Sequence, residues 1–191
     1  MEINLSALLA NAESEITSST WGTLLANWSA EMSNLLNNPS LQENIWGQIE
    51  ALGPLAAHSG STDFANLFIV FTKQYEAFMA NPSQQTLATI TTEINTKLIP
   101  AAPLNPFNTD KWLADDTCEL LLYKINPYNP DINQDEISGM LAIIQLFTPQ
   151  TYQFQVQQLD RDYANYVRTK DISFLLNAQT DINALIGMLQ T

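Results

Sequence analysis

Apolar residues recur at steps of three and four through most of this sequence, and strict alternation of apolar and polar residues is nearly absent. Steps of three and four place side chains on one face of an α-helix, whereas a half-buried strand requires alternation. The pattern occurs in eight segments, centred on Trp28, Ile49, Phe71, Ile90, Leu121, Leu141, Leu159 and Ile182. We therefore predict an all-α fold, a multi-helix bundle of about eight helices.

The domain organisation follows from length and from the prolines. A chain of 191 residues is long enough for one domain with its own core, so we predict a single α-helical domain over residues 1–191. Pro100, Pro103 and Pro106 interrupt the helical pattern and predict an extended connection at residues 100–109. An alternative fold is a short helical-hairpin repeat array, because the sequences NPSLQ and NPSQQ begin 43 residues apart.

Four dipeptides predict where helices begin. In each, a side chain that can cap a helix precedes a proline suited to the first helical position. These dipeptides are Asn38-Pro39, Asn81-Pro82, Asn129-Pro130 and Thr148-Pro149.

The charge balance is the feature that bears most directly on function. The chain has 20 acidic and 7 basic residues, a net charge of −13, and its first 72 residues contain no lysine or arginine. Such a field repels nucleic acid and anionic membranes, keeps a protein in solution and accelerates association with basic partners. We expect a protein-binding module that acts on a partner with a basic surface, in an inhibitor, immunity-type or chaperone-like role. The expected steering charges are Glu13, Glu15, Glu31, Glu43 and Glu50, with an exposed aromatic side chain as the anchor.

Candidate catalytic residues are few. His58 is the single histidine and lies at a predicted helix end, where it can bond to free backbone carbonyls. Cys118 is the single cysteine, and its acidic neighbours and apolar helix face predict a buried, unreactive thiol. We therefore expect no enzyme activity and no cofactor. The lone cysteine and the absence of a secretory signal pattern favour a cytoplasmic location.

Three carboxylates form the sharpest local pattern. Asp115, Asp116 and Glu119 lie at spacings that can put two oxygen ligands on one helical face. The sequence DDTCE resembles the aspartate-rich motif of isoprenoid synthases, which are also all-helical and whose carboxylates hold magnesium ions against a diphosphate. The resemblance covers these five residues, and the second ligand set of that family has no match here. We expect no metal site; a magnesium-dependent diphosphate enzyme is an alternative function.

Three further patterns bear on possible functions: one resembles a calcium loop but fails, and two leave other functions open. The segment DINQDE, residues 131–136, lacks the glycine and the distal glutamate of a calcium loop and predicts an acidic first turn of a helix. Aromatic residues on helix faces, among them Tyr152, Tyr163 and Tyr166, are compatible with a helical carrier of an apolar small molecule. The uncharged stretch Ile137–Leu159 keeps a membrane-active helical toxin as an alternative, although its glutamines and Pro149 oppose a membrane span.

Overall fold

The computed structural model describes the backbone of residues 5–103, 110–129 and 132–191, and their side chains from residue 20 onward. This part of the chain forms eight helices and no strand, which confirms the predicted all-α fold. The predicted proline-rich connection is wrong at its start, because Pro100 and Ala101 belong to a helical turn, and its residues 104–109 lie outside the described residues. Across the described helices, none combines the length and apolarity needed to cross a lipid bilayer.

The helices are numbered here in chain order. The first three are α1 (Leu5–Leu35), α2 (Pro39–Ala57) and α3 (Thr62–Ala80). Helix α4 runs over Gln84–Glu93, a π-helical segment Ile94–Leu98 and a last turn Ile99–Ala101. Helix α5 consists of Asp110–Trp112, a π-helical segment Leu113–Cys118 and Glu119–Lys124. The last three are α6 (Gln134–Phe147), α7 (Gln153–Thr169, after a 3-10 turn Gln150–Tyr152) and α8 (Ile172–Leu189).

These helices form two compact units that interleave along the chain. Unit 1 contains α1, α3 and α4, and unit 2 contains α2 and α5 to α8. The base-free first third of the sequence is therefore divided, since α1 belongs to one unit and α2 to the other. We predicted a single domain, that is, a chain that folds as one cooperative unit, and this stays a prediction.

Unit 1 is built around an aromatic core that the periodicity predicted. Trp21 meets Phe64 edge to face, with ring centroids 5.0 Å apart, and Trp28 stacks on Phe71 at 5.7 Å. The predicted stripes of these helices are buried at Trp21, Leu25, Trp28, Met32, Leu35, Phe64, Phe68, Phe71, Tyr75, Phe78, Leu87, Ile90, Ile94 and Leu98. Each buried Trp, Phe or Tyr side chain in this list removes a large apolar area from water. This burial is the main stabilising contribution of such a core.

Unit 2 has an aliphatic core supplemented by one buried hydrogen bond. Its predicted stripes are buried at Ile45, Ile49, Leu52, Leu113, Leu121, Ile125, Ile137, Met140, Ile144, Val156, Leu159, Tyr163, Leu175, Ala178, Ile182, Leu185 and Leu189. Thr117 is also buried, and its hydroxyl donates to the backbone carbonyl of Ala51 at 2.8 Å, which ties α5 to α2. Cys118 is fully buried beside it, as expected, and burial raises the pKa of its thiol to about 12.

The predicted helix starts are correct at one dipeptide and wrong at two others. Asn38 caps α2 and accepts from the backbone N–H of Leu41, with Pro39 at the first helical position. Helix α4 is capped by Ser83, which forms a reciprocal capping box with Thr86, while Asn81 ends α3. Thr148 ends α6 instead of capping α7.

The fourth dipeptide includes Pro130, which lies outside the described residues. The described cap of α6 is Asn133, whose side-chain oxygen accepts from the backbone N–H groups of Asp135 and Glu136. These two acidic residues occupy the first turn of α6, as predicted for this segment, and there they interact favourably with the helix dipole.

Helices α2 and α6 cross with their backbones in contact. A Cβ atom added at Gly47 would overlap the carbonyl group of Glu136, and one added at Gly139 would overlap the carbonyl group of Asn44. The Asn44 side-chain amide also donates to the backbone carbonyl of Asp135 at 3.2 Å. Only glycine permits this approach, so the two glycines determine how closely α2 and α6 pack.

We predict that Gly139→Ala destabilises unit 2 by about 3 kcal/mol or more, because the new methyl group meets backbone that cannot move without separating two helices. Gly187→Ala is the matched control, since Gly187 lies in α8 with open space around it. There the change should be neutral or stabilise the helix by up to about 1 kcal/mol. Urea unfolding followed by circular dichroism measures both; equal midpoints for the two variants would contradict the close crossing.

Candidate protein-binding site

The helix crossing brings predicted acidic residues together with acidic residues that the sequence did not connect to them. Glu43 and Glu50 lie one turn before and one turn after Gly47, so they share its face of α2. Asp135 and Glu136 begin α6 on the other side of the crossing. We call these four side chains, with Lys124 from α5, the carboxylate cluster.

Lys124 is the cation of this cluster. Its Nζ atom lies 2.9 Å from Oε2 of Glu50 and also donates to Oε1 of Glu136. The three side chains are only 24%, 23% and 13% exposed, respectively, so water screens this interaction less than it would at the surface. One lysine therefore forms ion pairs with two half-buried carboxylates that come from different helices.

Asn133 connects Glu43 to the same arrangement. While its oxygen caps α6, its side chain also hydrogen-bonds to Glu43. Burial, Glu136 and Asp135 all raise the pKa of Glu43, in that order of importance, against the opposing effects of Asn133 and Lys124. Glu43 is half-buried and Asp135 is exposed, so the cluster presents carboxylates to solvent beside its internal ion pairs. With four carboxylates and one ammonium, the cluster retains an excess of negative charge.

Glu50 and Glu136 behave as a pair. Burial raises the pKa of Glu50 to about 7, and the neighbouring Glu136 carboxyl adds to this effect while Lys124 opposes it. Burial also acts to raise the pKa of Glu136, but the neighbouring Glu50 and the bond from Lys124 outweigh it and lower that pKa. Burial similarly acts to lower the pKa of Lys124, and its bonds to Glu136 and Glu50 raise it instead. Glu50 is thus the member of the pair that carries a proton at mildly acidic pH.

Two exposed tyrosines lie close to Lys124 in the sequence. Tyr123 precedes Lys124 in α5 and is 73% exposed, and Tyr128, in the following turn, is 92% exposed. The turn is ordered by hydrogen bonds: the side-chain amide of Asn129 donates to the carbonyl of Lys124 at 3.3 Å, and the N–H of Tyr128 donates to the side chain of Asn126 at 2.9 Å. Tyr128 is therefore held at the end of the helix that carries Lys124.

The other three predicted steering charges lie on α1. Glu31 is exposed on α1 in unit 1 and accepts from the side-chain amide of Asn34. Glu13 and Glu15 lie on α1 where side chains are outside the described part of the structure. Among the predicted steering charges whose side chains the structure describes, Glu43 and Glu50 share one face of α2.

The aspartate-rich segment does not converge on a common point. It lies in the π-helical turn of α5, where the α-helical spacing assumed for the metal hypothesis does not apply. Asp115 accepts from the side-chain amide of Gln190 at 2.6 Å, while Asp116 and Glu119 are exposed. Among the described residues, no group of three or more His, Cys, Asp or Glu side chains is arranged to hold a metal ion.

His58 and the aromatic face of α7 complete the set of predicted residues. His58 ends α2; its Nδ1 lies 3.0 Å from the carbonyl oxygen of Pro54, to which it donates, and its ring stacks on Trp112. Between α6 and α7 lies an open groove of about 300 Å³, which includes Ser138, Asp160 and Tyr163 in its lining. A carrier of apolar molecules would use a closed cavity, so this groove does not argue for that hypothesis.

Comparison with known proteins gives no relative. The chain matches no protein-family model, and no curated protein or solved structure shows significant similarity to it. The class of protein is therefore defined by the fold and the site alone, as an all-α protein with a lysine-bridged carboxylate cluster.

We predict that the stability of this protein falls as pH rises from about 5 to about 8, with a contribution from Glu50 on the order of 1 kcal/mol. The pKa of Glu50 is raised in the folded state, so between pH 4.5 and about 7 the folded chain binds more protons than the unfolded chain. Folding is then favoured at the lower pH and loses this contribution as Glu50 ionises. Glu50→Gln, which mimics the protonated form, should flatten the dependence in urea titrations over this range.

Glu119→Gln removes an exposed carboxylate of the same unit and should leave the pH dependence of the wild type unchanged. An identical pH profile for wild type and Glu50→Gln would contradict the assignment of the proton to Glu50.

Proposed function

We propose that this protein is a protein-binding module and that the carboxylate cluster, with Tyr123 and Tyr128, receives a basic segment of its partner. The observation that carries the proposal is Lys124 itself. An ammonium group already sits between Glu50 and Glu136, and Glu43 and Asp135 supply further negative charge without a second lysine or arginine paired to them among the described residues. A partner's lysine or arginine fits the same chemistry.

The charge of the whole unit supports the same partner. Unit 2 contains 13 acidic and five basic residues, a net charge of −8, within which the cluster lies. A field of this sign increases the association rate with basic surfaces and weakens with salt, and it opposes nucleic acid and anionic membranes. The acidic field provides attraction over a distance, while the cluster provides a defined place for a cation.

The exposed tyrosines supply apolar contact area, which the acidic charge alone does not provide. Interfaces derive most of their affinity from a few aromatic or arginine side chains, and tyrosine combines a large apolar area with a polar hydroxyl. Tyr123 and Tyr128 are 73% and 92% exposed, and they precede and follow Lys124 in the sequence. Their rings can also stack on a guanidinium group, which favours an arginine-containing segment.

Within this proposal the protein is an inhibitor, immunity-type or chaperone-like protein of the cytoplasm. A site that binds a cationic segment and contains no nucleophile fits roles in which binding is itself the activity. The reduced, buried Cys118 is compatible with a cytoplasmic location.

We predict that the double variant Glu43→Gln/Asp135→Asn weakens binding of a fluorescein-labelled oligolysine peptide about tenfold, equivalent to about 1.4 kcal/mol. These changes remove the solvent-facing carboxylates of the cluster and leave the bonds of Lys124 in place. Asp116→Asn/Glu119→Gln is the control with the same change of net charge. Fluorescence anisotropy at low ionic strength measures both; equal losses would mean that the peptide senses only net charge.

We predict that Tyr123→Ala/Tyr128→Ala weakens binding of an oligoarginine peptide several-fold, and more than it weakens binding of oligolysine, because guanidinium stacks better on an aromatic ring. Phe154→Ala is the control, since Phe154 is 71% exposed on α7 and lies outside the cluster. The same anisotropy assay applies. A loss of equal size in Phe154→Ala would show that these tyrosines are not the anchors.

A further inference from the structure

The outer face of α8 carries no charged residue, in a chain whose net charge is −13. Asp181 is the one charged residue of this helix, and its Oδ1 accepts from the side-chain amide of Gln155 in α7 at 2.9 Å. By contrast, α7 is one residue shorter and has four charged residues. The exposed residues of α8 form what we call the α8 face: Ile172, Ser173, Leu176, Asn177, Thr180, Asn183, Gly187 and Met188.

The α8 face is suited to contact with another protein surface. It includes three large apolar side chains, Ile172, Leu176 and Met188, which are 54%, 48% and 38% exposed. Two of its polar side chains bond within the helix, because the hydroxyl of Thr180 and the amide of Asn183 each donate to a backbone carbonyl one turn before, at 3.0 and 2.9 Å. These bonds persist when the face is covered, which lowers the cost of burying it.

Gly187 allows another helix to approach this face closely. A glycine inside a helix costs about 1 kcal/mol relative to alanine. At Gly47 and Gly139 the crossing of α2 and α6 requires glycine, because backbone occupies the space of a side chain. Among the described residues, no neighbouring atom lies within 4 Å of a Cβ atom added at Gly187. The space beside Gly187 therefore remains available to a helix from outside.

The pattern of the α8 face fits a second copy of the same helix. Thr180 lies opposite the middle of the buried stripe of α8, and the exposed residues are spaced evenly before and after it. In an antiparallel pair with a two-fold axis at Thr180, residues equally distant from Thr180 come to the same level. Leu176 then lies beside Ala184 of the partner subunit, and Ser173 beside Gly187 of the partner subunit. At both levels a larger side chain meets a smaller one, as close packing requires.

The charge distribution also favours a second copy over another kind of partner. Two chains of net charge −13 repel each other, and the α8 face lets them touch without bringing carboxylates together. A strongly basic or acidic partner would find no counter-charge on this face. The nearest charged residues in the sequence are Lys170 and Asp171, which precede the first turn; Asp171 caps the helix by accepting from the N–H of Ser173.

We propose that the α8 face is a self-association surface, through which two copies of this protein pair antiparallel about Thr180 as a weak dimer. The inference is independent of the carboxylate cluster. A helix of 18 residues is about 27 Å long, and one such helix per copy covers less than the roughly 800 Å² per partner of a standard interface. We therefore expect a dissociation constant in the micromolar range. Salt should strengthen the dimer by screening the repulsion between copies, whereas it weakens binding of a basic segment.

Sedimentation velocity over a range of protein concentrations, at low and at high sodium chloride, measures this dimer. We expect the wild-type dissociation constant to fall several-fold at high salt. Leu176→Glu/Met188→Glu places two carboxylates on the α8 face and should raise the dissociation constant about tenfold or more. Ile69→Glu/Val70→Glu is the matched control, since these two apolar side chains of α3 are 52% and 43% exposed. The control should dimerise nearly as the wild type does.

A cysteine crosslink tests the geometry of the pair. Thr180 lies at the two-fold axis, so Thr180→Cys should form a disulfide between two copies under a mild oxidant. Gln157→Cys, at an exposed position of α7, is the control and should stay monomeric on a non-reducing gel. Cys118 is buried and does not compete.

Three results would overturn the inference: a monomer at every concentration and salt, the same dissociation constant in wild type and in Leu176→Glu/Met188→Glu, or equal crosslinking of the two cysteine variants. The proposed function stands or falls separately, because oligolysine binding at the carboxylate cluster is measured at concentrations where the protein is monomeric.

Discussion

The backbone contact between α2 and α6 is the constraint on which the candidate site depends. Gly47 and Gly139 let the two helices approach until each glycine meets a carbonyl group of the other helix. A glycine inside a helix costs about 1 kcal/mol relative to alanine, so the crossing must recover that cost through close packing. Because Glu43 and Glu50 lie one turn on either side of Gly47, this approach places them against the acidic first turn of α6.

The close crossing brings carboxylates together, and their mutual repulsion explains the position of Lys124 in the cluster. Carboxylates placed this close in a half-buried location repel each other, and the fold reduces the repulsion with Lys124. A half-buried ion pair of this kind is weak support for stability, because desolvation offsets much of the attraction between the charges. What the arrangement does provide is a carboxyl group, Glu50, whose pKa burial raises to about 7.

Local sequence patterns predicted the helices and their buried faces but not the contacts between them. Periodicity reports which side of a helix is apolar, and nearly every predicted stripe is buried. It carries no distance between segments, so Lys124, which meets Glu50 across 74 residues of sequence, could not be assigned to the site. The helix starts show that a local pattern can also be misleading. Asn81-Pro82 has the same pattern as Asn38-Pro39, yet α4 begins after Ser83, which caps it in a reciprocal capping box with Thr86.

The location of the cluster bears on why the chain is acidic at all. Solubility alone requires charges that are dispersed and exposed, as Asp116, Glu119 and Glu31 are. It gives no reason to place Glu50 and Glu136 where water is partly excluded and where they compete for one lysine, since that placement costs stability. Groups whose ionisation is disfavoured by their surroundings occur preferentially at functional sites, because a ligand that relieves the unfavourable interaction gains binding energy from doing so. The unfavourable electrostatics of the cluster therefore favour a binding role over a purely solubilising one.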